Sequence, residues 1–413
     1  MALPAIAILH YSAPPVIGGV ESTMAAHAKL LADRGYPVKL VAGRGEPADE
    51  RVPVCIIPEM DSKHPEVLAT GAQLERGEGV EACAALADRI RAQLEACLAD
   101  VDVCIVHNAA TLHKNLPLTQ ALFDLSQRGL PTIAWCHDLA WNDPLYTGAL
   151  HDGQPWDLLR TRWPGVQYVV VSGARHHELA HLLRMSEDAI RVIPPGVDPI
   201  ELLGIGPVAA QWVRKGLLDG APLLLLPARV TRRKNIELGI QVTAALVRMG
   251  HPARLLVMGP LGPHNPSNAA YLAELDRQRA ALGLGDSVVF LSQHAPVDDS
   301  VRRDLYLLAD ALFMPSAREG FGIPVLEAGI ARLPVFTSDI PPFHESAGEW
   351  ASYFNLADEP AKIARLISEA LEIDARYQLR QRVLGEYAWP RLFVERIEPL
   401  LRETCPNETL NSR

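Results

Sequence analysis

Apolar residues in this chain come in short, unbroken runs, and that pattern narrows the fold more than any other feature. The first series is Ala5–His10, Val38–Val41, Val101–His107, Thr132–Cys136 and Gln167–Val171. A second series is Leu223–Pro227, Arg254–Met258, Val288–Leu291, Ala311–Met314 and Val335–Thr337. A strand with one wet face alternates apolar and polar residues. Runs without alternation predict strands buried on both faces, as in a parallel sheet. Helical spacing fills the gaps, over Val20–Arg34, Ala82–Leu98, Ile236–Arg248 and Tyr271–Leu282. Strand and helix in repeated alternation imply doubly wound α/β layers. The runs are far shorter than the roughly 18–20 residues a membrane span needs.

The series breaks at Ile193-Pro194-Pro195-Gly196-Val197-Asp198-Pro199, which suits neither a helix nor a central strand. It divides the chain into two expected domains, 1–195 and 196–388. A further amphipathic helix is expected around Leu392–Leu400, within 389–405, packing back on the first domain as one stripe. A chain of 413 residues has room for such a pair. With 48% hydrophobic and 21% charged residues, disorder is excluded as the main state. A net charge of −10 argues against nucleic acid as the main partner. The opening MALPAIAILHYSAPP has no basic residue ahead of its apolar stretch and reads as a buried strand rather than a signal peptide. Six cysteines form no C-x-x-C pair and no metal spacing, so they read as separate, inert core thiols in a reducing cytoplasm.

Three loops carry chemistry. After the first strand come Gly18 and Gly19, then a helix. Glycines there let a ligand approach the backbone, and the helix N-terminus offers free N–H groups to an anion. The pair is not a G-x-G-x-x-G fingerprint, which weighs against a dinucleotide enzyme. The first strand of the second half leads into Pro227-Ala228-Arg229-Val230-Thr231-Arg232-Arg233-Lys234-Asn235. Four cations in six residues ahead of a helix oppose its dipole. The loop is either a solvated basic turn or a phosphate clamp. The third loop is Arg318-Glu319-Gly320-Phe321-Gly322-Ile323-Pro324-Val325-Leu326-Glu327-Ala328. Pro324 suits the first turn of a helix, which places Glu319 on the loop and Glu327 about one turn inside. Carboxylates at a strand's carboxyl end can accept hydroxyl hydrogen bonds from sugars. Glu327 could also serve as a dipole partner for its helix, or the two could work as a glycosidase pair.

Taken together, these motifs resemble the retaining glycosyltransferases of family 4, with the GT-B fold. The E-x(7)-E pattern is Glu319 and Glu327, the Arg-x(4)-Lys pattern is Arg229 and Lys234, and the Gly-Gly loop is Gly18 and Gly19. Val171-Ser172, the Ile193–Asp198 segment and Leu333-Pro334-Val335-Phe336-Thr337-Ser338-Asp339 also match, in family order. The resemblance implies two Rossmann-like domains facing a central cleft. It implies transfer of a hexose, with retention, from a nucleotide-diphosphate sugar of UDP-glucose or GDP-mannose type to a hydroxyl of a polar, sugar-containing acceptor. Glu327 would hold the ribose hydroxyls. Glu319 would contact the transferred sugar together with backbone groups of Gly320, Phe321 and Gly322. Arg229 and Lys234 would bind the diphosphate, with Gly18 and Gly19 closing over it. His137, past a strand end, would face the donor sugar and position the acceptor, and His107 and Asn108 are candidates for touching it. His294 would lie where the base is cradled. No metal and no cofactor is expected, since cations and helix N-termini can neutralise the leaving diphosphate. The alternatives are a nucleotide-sugar epimerase or hydrolase of the same fold, or a non-catalytic nucleotide-sugar-binding protein. The loop 259–268 is longer than the family's usual glycine turn. No transmembrane segment is expected, and peripheral membrane contact is not favoured.

Overall fold

The structure is a computed structural model that describes residues 3–260 and 267–405. The chain divides into two compact units. One comprises the chain up to Val197 together with the chain from Tyr387 onward; the other is Asp198–Glu386. The long loop expected at 259–268 falls largely on 261–266, outside the described residues.

In the first unit the strands are β1 (Ile6–Leu9), β2 (Val38–Ala42), β3 (Val54–Ile56), β4 (Val103–His107), β5 (Thr132–Cys136), β6 (Gln167–Val170) and β7 (Ile190–Val192). They pair in parallel in the order β3-β2-β1-β4-β5-β6-β7. In the second unit, β8 (Leu223–Leu226), β9 (Arg254–Val257), β10 (Val288–Phe290), β11 (Ala311–Met314), β12 (Val335–Ser338) and β13 (Ser352–Phe354) form a second parallel sheet, β10-β9-β8-β11-β12-β13. Both orders are the doubly wound, Rossmann-like arrangement in which the direction reverses beside the first strand. This is the pair of sheets that the GT-B fold requires.

The central strands β1, β4, β5, β8 and β11 are buried at every position, as their unbroken apolar runs demand. β3, β7 and β13 were not legible as apolar runs. Each is three residues long at a sheet edge, with one residue or none fully buried. An edge strand has one side unpaired, so burial does not stamp it into the sequence.

The chain's last helical stretch belongs to the first unit. Trp389–Leu392 is helical, Phe393–Ile397 widens into a π-helical turn, and Glu398–Thr404 resumes the regular helix. The wide turn ends just ahead of Pro399, which has no N–H to give to a regular ladder. Trp389, Leu392, Phe393, Ile397, Leu400 and Leu401 enter one core with Ile6, Ile8, Val103, Ile105, Ile133 and Val169, covering one face of the sheet. Gly196 lies under this stretch; a Cβ there would stand 2.6 Å from the Trp389 ring.

Six separate thiols were expected, and the structure departs from that. Cys55 on β3 and Cys97 at the end of helix Val80–Cys97 are joined as a disulfide across 42 residues. Their Cα atoms are 6.7 Å apart, within bonding reach. Only the folded sheet brings them together, so their spacing in sequence carried no sign of it. Cys83, Cys104 and Cys136 are buried free thiols, each pushed up to about 12 by burial. Among the described residues no helix is long and apolar enough to cross a membrane.

Phe393 is fully buried, and the Arg34 guanidinium lies over its ring at 4.1 Å. Phe393→Ala should therefore destabilise the first unit by about 3–5 kcal/mol. Val394, next to it, is exposed, and Val394→Ala should change stability by less than about 0.5 kcal/mol. Urea titrations of the two variants check this pair of outcomes.

Candidate active site

β8 and β11 are neighbours, with Leu224 opposite Ala311 and Leu225 opposite Leu312. Because they run parallel, both release their following loops at the same end. The Ala317 N–H donates to the Arg233 carbonyl at 2.8 Å, and the Arg233 guanidinium donates to the Arg318 carbonyl at 3.0 Å. The basic loop and the first glutamate are thereby locked together.

Glu319 is the hub of this region. Lys234 Nζ pairs with its Oε1, Ser316 Oγ donates to the same oxygen at 2.8 Å, and Arg233 Nη1 donates to Oε2 at 3.2 Å. Burial alone would raise the Glu319 carboxyl; hydrogen bonds from Lys234 and Ser316 and the charges of Lys234 and Arg233 outweigh it and hold the group below its usual range. An ionised carboxylate has about four acceptor directions. Three are filled, leaving one on Oε2 without a donor among the described residues.

The basic loop splits its charges. Arg232 turns away, donating to Glu274 at 2.8 Å and lying over the Tyr271 ring at 4.8 Å. Lys234 is buried against Glu319, while Arg229 is exposed and has no side-chain partner among the described residues. Asn235 begins the helix Ile236–Arg248 with φ 49° and ψ 50°, a left-handed conformation. Asn tolerates that region better than most side chains, so it can stand where glycine is common.

Glu327 lies in the helix Ile323–Ile330. Tyr306 Oη donates to its Oε2 at 2.6 Å and Arg302 Nη1 approaches Oε1 at 3.3 Å. Among the described residues, one acceptor direction on each oxygen is left. Arg302 and Tyr306 stand one turn apart on the helix Asp299–Leu308. Sequence reasoning missed both, and the i, i+4 spacing of a cation and a phenol was the only available sign.

Gly322 has φ 97°, and a Cβ would meet the Phe343 ring at 2.9–3.0 Å and Ser346 Oγ at 3.1 Å. Only glycine fits there. Gly320 has open space around it, and Phe321 is exposed. His294 follows the short turn Leu291–Gln293; it is exposed and has no side-chain partner among the described residues.

The first unit gathers its own polar groups at the carboxyl ends of β1, β4 and β5. Gly18 precedes the helix Gly19–Asp33 with an extended backbone. A Cβ on Gly18 would collide with the Glu21 carboxylate, which folds over it, whereas Gly19 has open space. Glu21 accepts from Ser12 Oγ at 2.7 Å, and His10 Nε2 lies 4.0 Å from it. A carboxylate in the first turn complements the helix dipole. The N-terminus that the sequence offered to an outside anion thus has an acidic group of its own beside it.

His137 follows β5, and its Nε2 lies 2.9 Å from Nδ1 of His107, the last residue of β4. His107 and Asn108 are both buried, so they stand behind His137 rather than at a surface. Asn108 Oδ1 accepts from the His137 and Asp138 N–H groups at 2.8 and 3.1 Å. Burial pulls His137 down to about 4, helped by the charge of His10. Burial pulls His27 to about 3 and lowers His107 and His10 as well.

The four histidines must take up protons when the unit unfolds. Their folded values lie below the ordinary 6.5, so the unfolded chain binds more protons in the window from about 6.5 down to 4. Stability is therefore complete above pH 6.5 and falls as pH drops through that window, by about 1.4 kcal/mol per pH unit for each proton taken up. Carboxylates held low by cationic partners add their loss only further down. Melting temperatures measured from pH 7.5 to 4.5 should decline, and His27→Leu should flatten the decline by one proton.

Comparison with known proteins covers both units. Residues 17–201 match the family described as Glycosyltransferase Family 4, and residues 210–388 match Glycosyl transferases group 1. The D-inositol 3-phosphate glycosyltransferase of Stackebrandtia nassauensis is 26% identical over 390 residues, covering 87% of this chain and 83% of that protein. The serotype-specific mannosyltransferase WbdA of Escherichia coli is 31% identical over 156 residues, 38% of this chain and 18% of that protein. Among solved structures, a sucrose-phosphate synthase from Thermosynechococcus elongatus aligns over 97% of this chain and 98% of its own at 18% identity and a TM-score of 0.38.

Proposed function

We propose, starting from the chain's membership of the glycosyltransferases of family 4 and group 1 type, that it moves a hexose from a nucleotide-diphosphate sugar to a hydroxyl of a polar acceptor, with retention at the transferred carbon. The observation that carries this reading is the cluster at the ends of β8 and β11. A carboxylate with one acceptor direction left, a second with two, and a guanidinium without a partner among the described residues stand on the loops and the helix that follow two adjacent strands.

The two open directions of Glu327 suit the pair of ribose hydroxyls, and the single one of Glu319 suits a hydroxyl of the transferred sugar. Arg229 and Lys234 supply positive charge to the diphosphate. The bond between the sugar's anomeric carbon and the phosphate oxygen breaks, and the acceptor oxygen bonds to that carbon on the same face. The acceptor's proton passes to the leaving phosphate oxygen, so no protein base is needed. Negative charge on the diphosphate grows through this step, so a cation fixed beside it acts mainly on the transition state.

For Gly18, Gly19, His137 and His294 the assignment to substrate rests on the family resemblance. The mannosyltransferase among the relatives favours mannose as the hexose; a UDP or GDP carrier rests on the family resemblance. The name of the inositol 3-phosphate relative favours a hydroxyl-rich, polar acceptor. A soluble enzyme fits this chemistry, in which no metal ion or cofactor takes part; the Cys55–Cys97 disulfide removes the thiol argument for a reducing cytoplasm.

Arg229→Ala and Lys234→Ala should each slow turnover about 100-fold or more, on the scale of losing an oxyanion-stabilising donor, with a larger effect on kcat than on KM. Donor-consumption kinetics over a panel of UDP-, GDP- and ADP-hexoses, with circular dichroism to confirm folding, provide the check. A folded double variant with near-native kcat would move the reacting phosphate away from this loop.

Activity should persist in excess EDTA, because cationic side chains carry the charge of the leaving group. Turnover abolished by EDTA and restored by magnesium or manganese would overturn that mechanism.

A further inference from the structure

Four imidazoles meet near the carboxyl ends of β1, β4 and β5; both ring nitrogens of His27 are buried without a partner among the described residues, and contacts bear on the protons of the other three. His10 Nδ1 lies 3.0 Å from the His107 carbonyl. A carbonyl only accepts, so His10 carries its proton on Nδ1. His107 Nδ1 and His137 Nε2 are 2.9 Å apart, and one of them must donate.

The surroundings of His107 decide which. Its ring is fully buried, stacked on Trp135 at 5.7 Å and facing His27 at 5.6 Å. His107 Nε2 is buried and without a hydrogen-bond partner. If the proton were on Nε2, a buried N–H would be stranded, which folded proteins rarely allow. With the proton on Nδ1, only a lone pair is left unpaired, and His107 donates to His137. Burial, aided by the neighbouring imidazoles His10 and His27, leaves both rings neutral at pH 7; the other titratable groups beside them are Glu21, in the first turn of its helix and facing His10, and Asp138, bonded to Asn108.

His137 then keeps its proton on Nδ1, which makes no hydrogen bond with the described residues and is not among the buried unpaired atoms. Asn108 holds the backbone that carries the His137 ring. Its φ is 61°, and its side chain spans the His137 and Asp138 N–H groups while donating to Asp138 Oδ2 at 3.3 Å.

We propose that His107 is a positioning residue: by committing its Nδ1–H to His137 Nε2, it makes His137 a hydrogen-bond donor through Nδ1–H, directed at a substrate oxygen, and removes the lone pair His137 would need to act as a base. The link to substrate rests on the glycosyltransferase reading; the tautomer assignment does not.

Protein labelled with ¹⁵N-histidine, with His137 assigned through His137→Gln, tests the tautomer directly by long-range proton–nitrogen correlation. At pH 7.5 the native protein should show His137 protonated on Nδ1 and bare on Nε2. His107→Leu should release it to the other tautomer or a mixture, and His107→Asn, which restores an N–H near the lost Nδ1, should bring it back. A native His137 protonated on Nε2, or a tautomer unmoved in His107→Leu, would overturn the proposal. If His107→Leu does not fold, the native spectrum and His107→Asn still decide it.

The kinetic arm uses the donor sugar that the panel identifies. His107→Leu should lower kcat by about tenfold or more and His107→Asn should recover most of it, as expected when a histidine is held in the wrong tautomer. The native kcat should show no inflection from His137 between pH 5.5 and 8. A tautomer that shifts with no change in kcat would take His137 out of the transfer step while leaving the His107–His137 hydrogen bond as assigned.

Discussion

Every strand in both sheets is parallel to its neighbours, and the functional groups depend on that constraint. In a parallel sheet each strand needs a crossover before the next, and all carboxyl ends lie along one edge. Residues far apart in sequence are therefore delivered to the same edge. Lys234 and Glu319, 85 positions apart, pair because β8 and β11 lie side by side. His107 and His137 meet because β4 and β5 do.

The Lys234–Glu319 pair illustrates how such an edge stays chemically active. Both side chains are largely buried, and each would be costly to bury charged and alone. Together, and with Ser316 and Arg233, they form a satisfied network that still presents one acceptor direction. The first unit uses a different device. Its clustered histidines are buried deeply enough to stay neutral, and His10, His107 and His137 contribute directional hydrogen bonds rather than charge. A paired charge network and a cluster of neutral imidazoles thus belong to separate units of the chain.

Much of this was legible before folding. Central strands could be read because burial on both faces forces unbroken apolar runs, as in Leu223–Leu226 and Val103–His107. Edge strands β3, β7 and β13 could not, since nothing obliges an edge residue to be apolar. Glycine at 322 was legible as part of a turn, but its necessity came from the Phe343 ring beneath it. The joining of Cys55 to Cys97 depended on where an edge strand ended against a helix, and spacing alone carried no trace of it.

The sequence by itself determined the α/β class, the alternation of elements and the presence of a cationic loop and two spaced carboxylates, because these depend on burial periodicity and on residues close together in the chain. Tertiary structure alone decided how those groups are partnered. It turned Arg232 outward to Glu274, left Arg229 unpaired among the described residues and set Tyr306 and Arg302 on Glu327. It folded Glu21 over Gly18 and placed His107 behind His137. A residue's type fixes what bonds it can make. Which partner stands within about 3 Å depends on strand order and helix packing, and no local pattern in the chain encodes that.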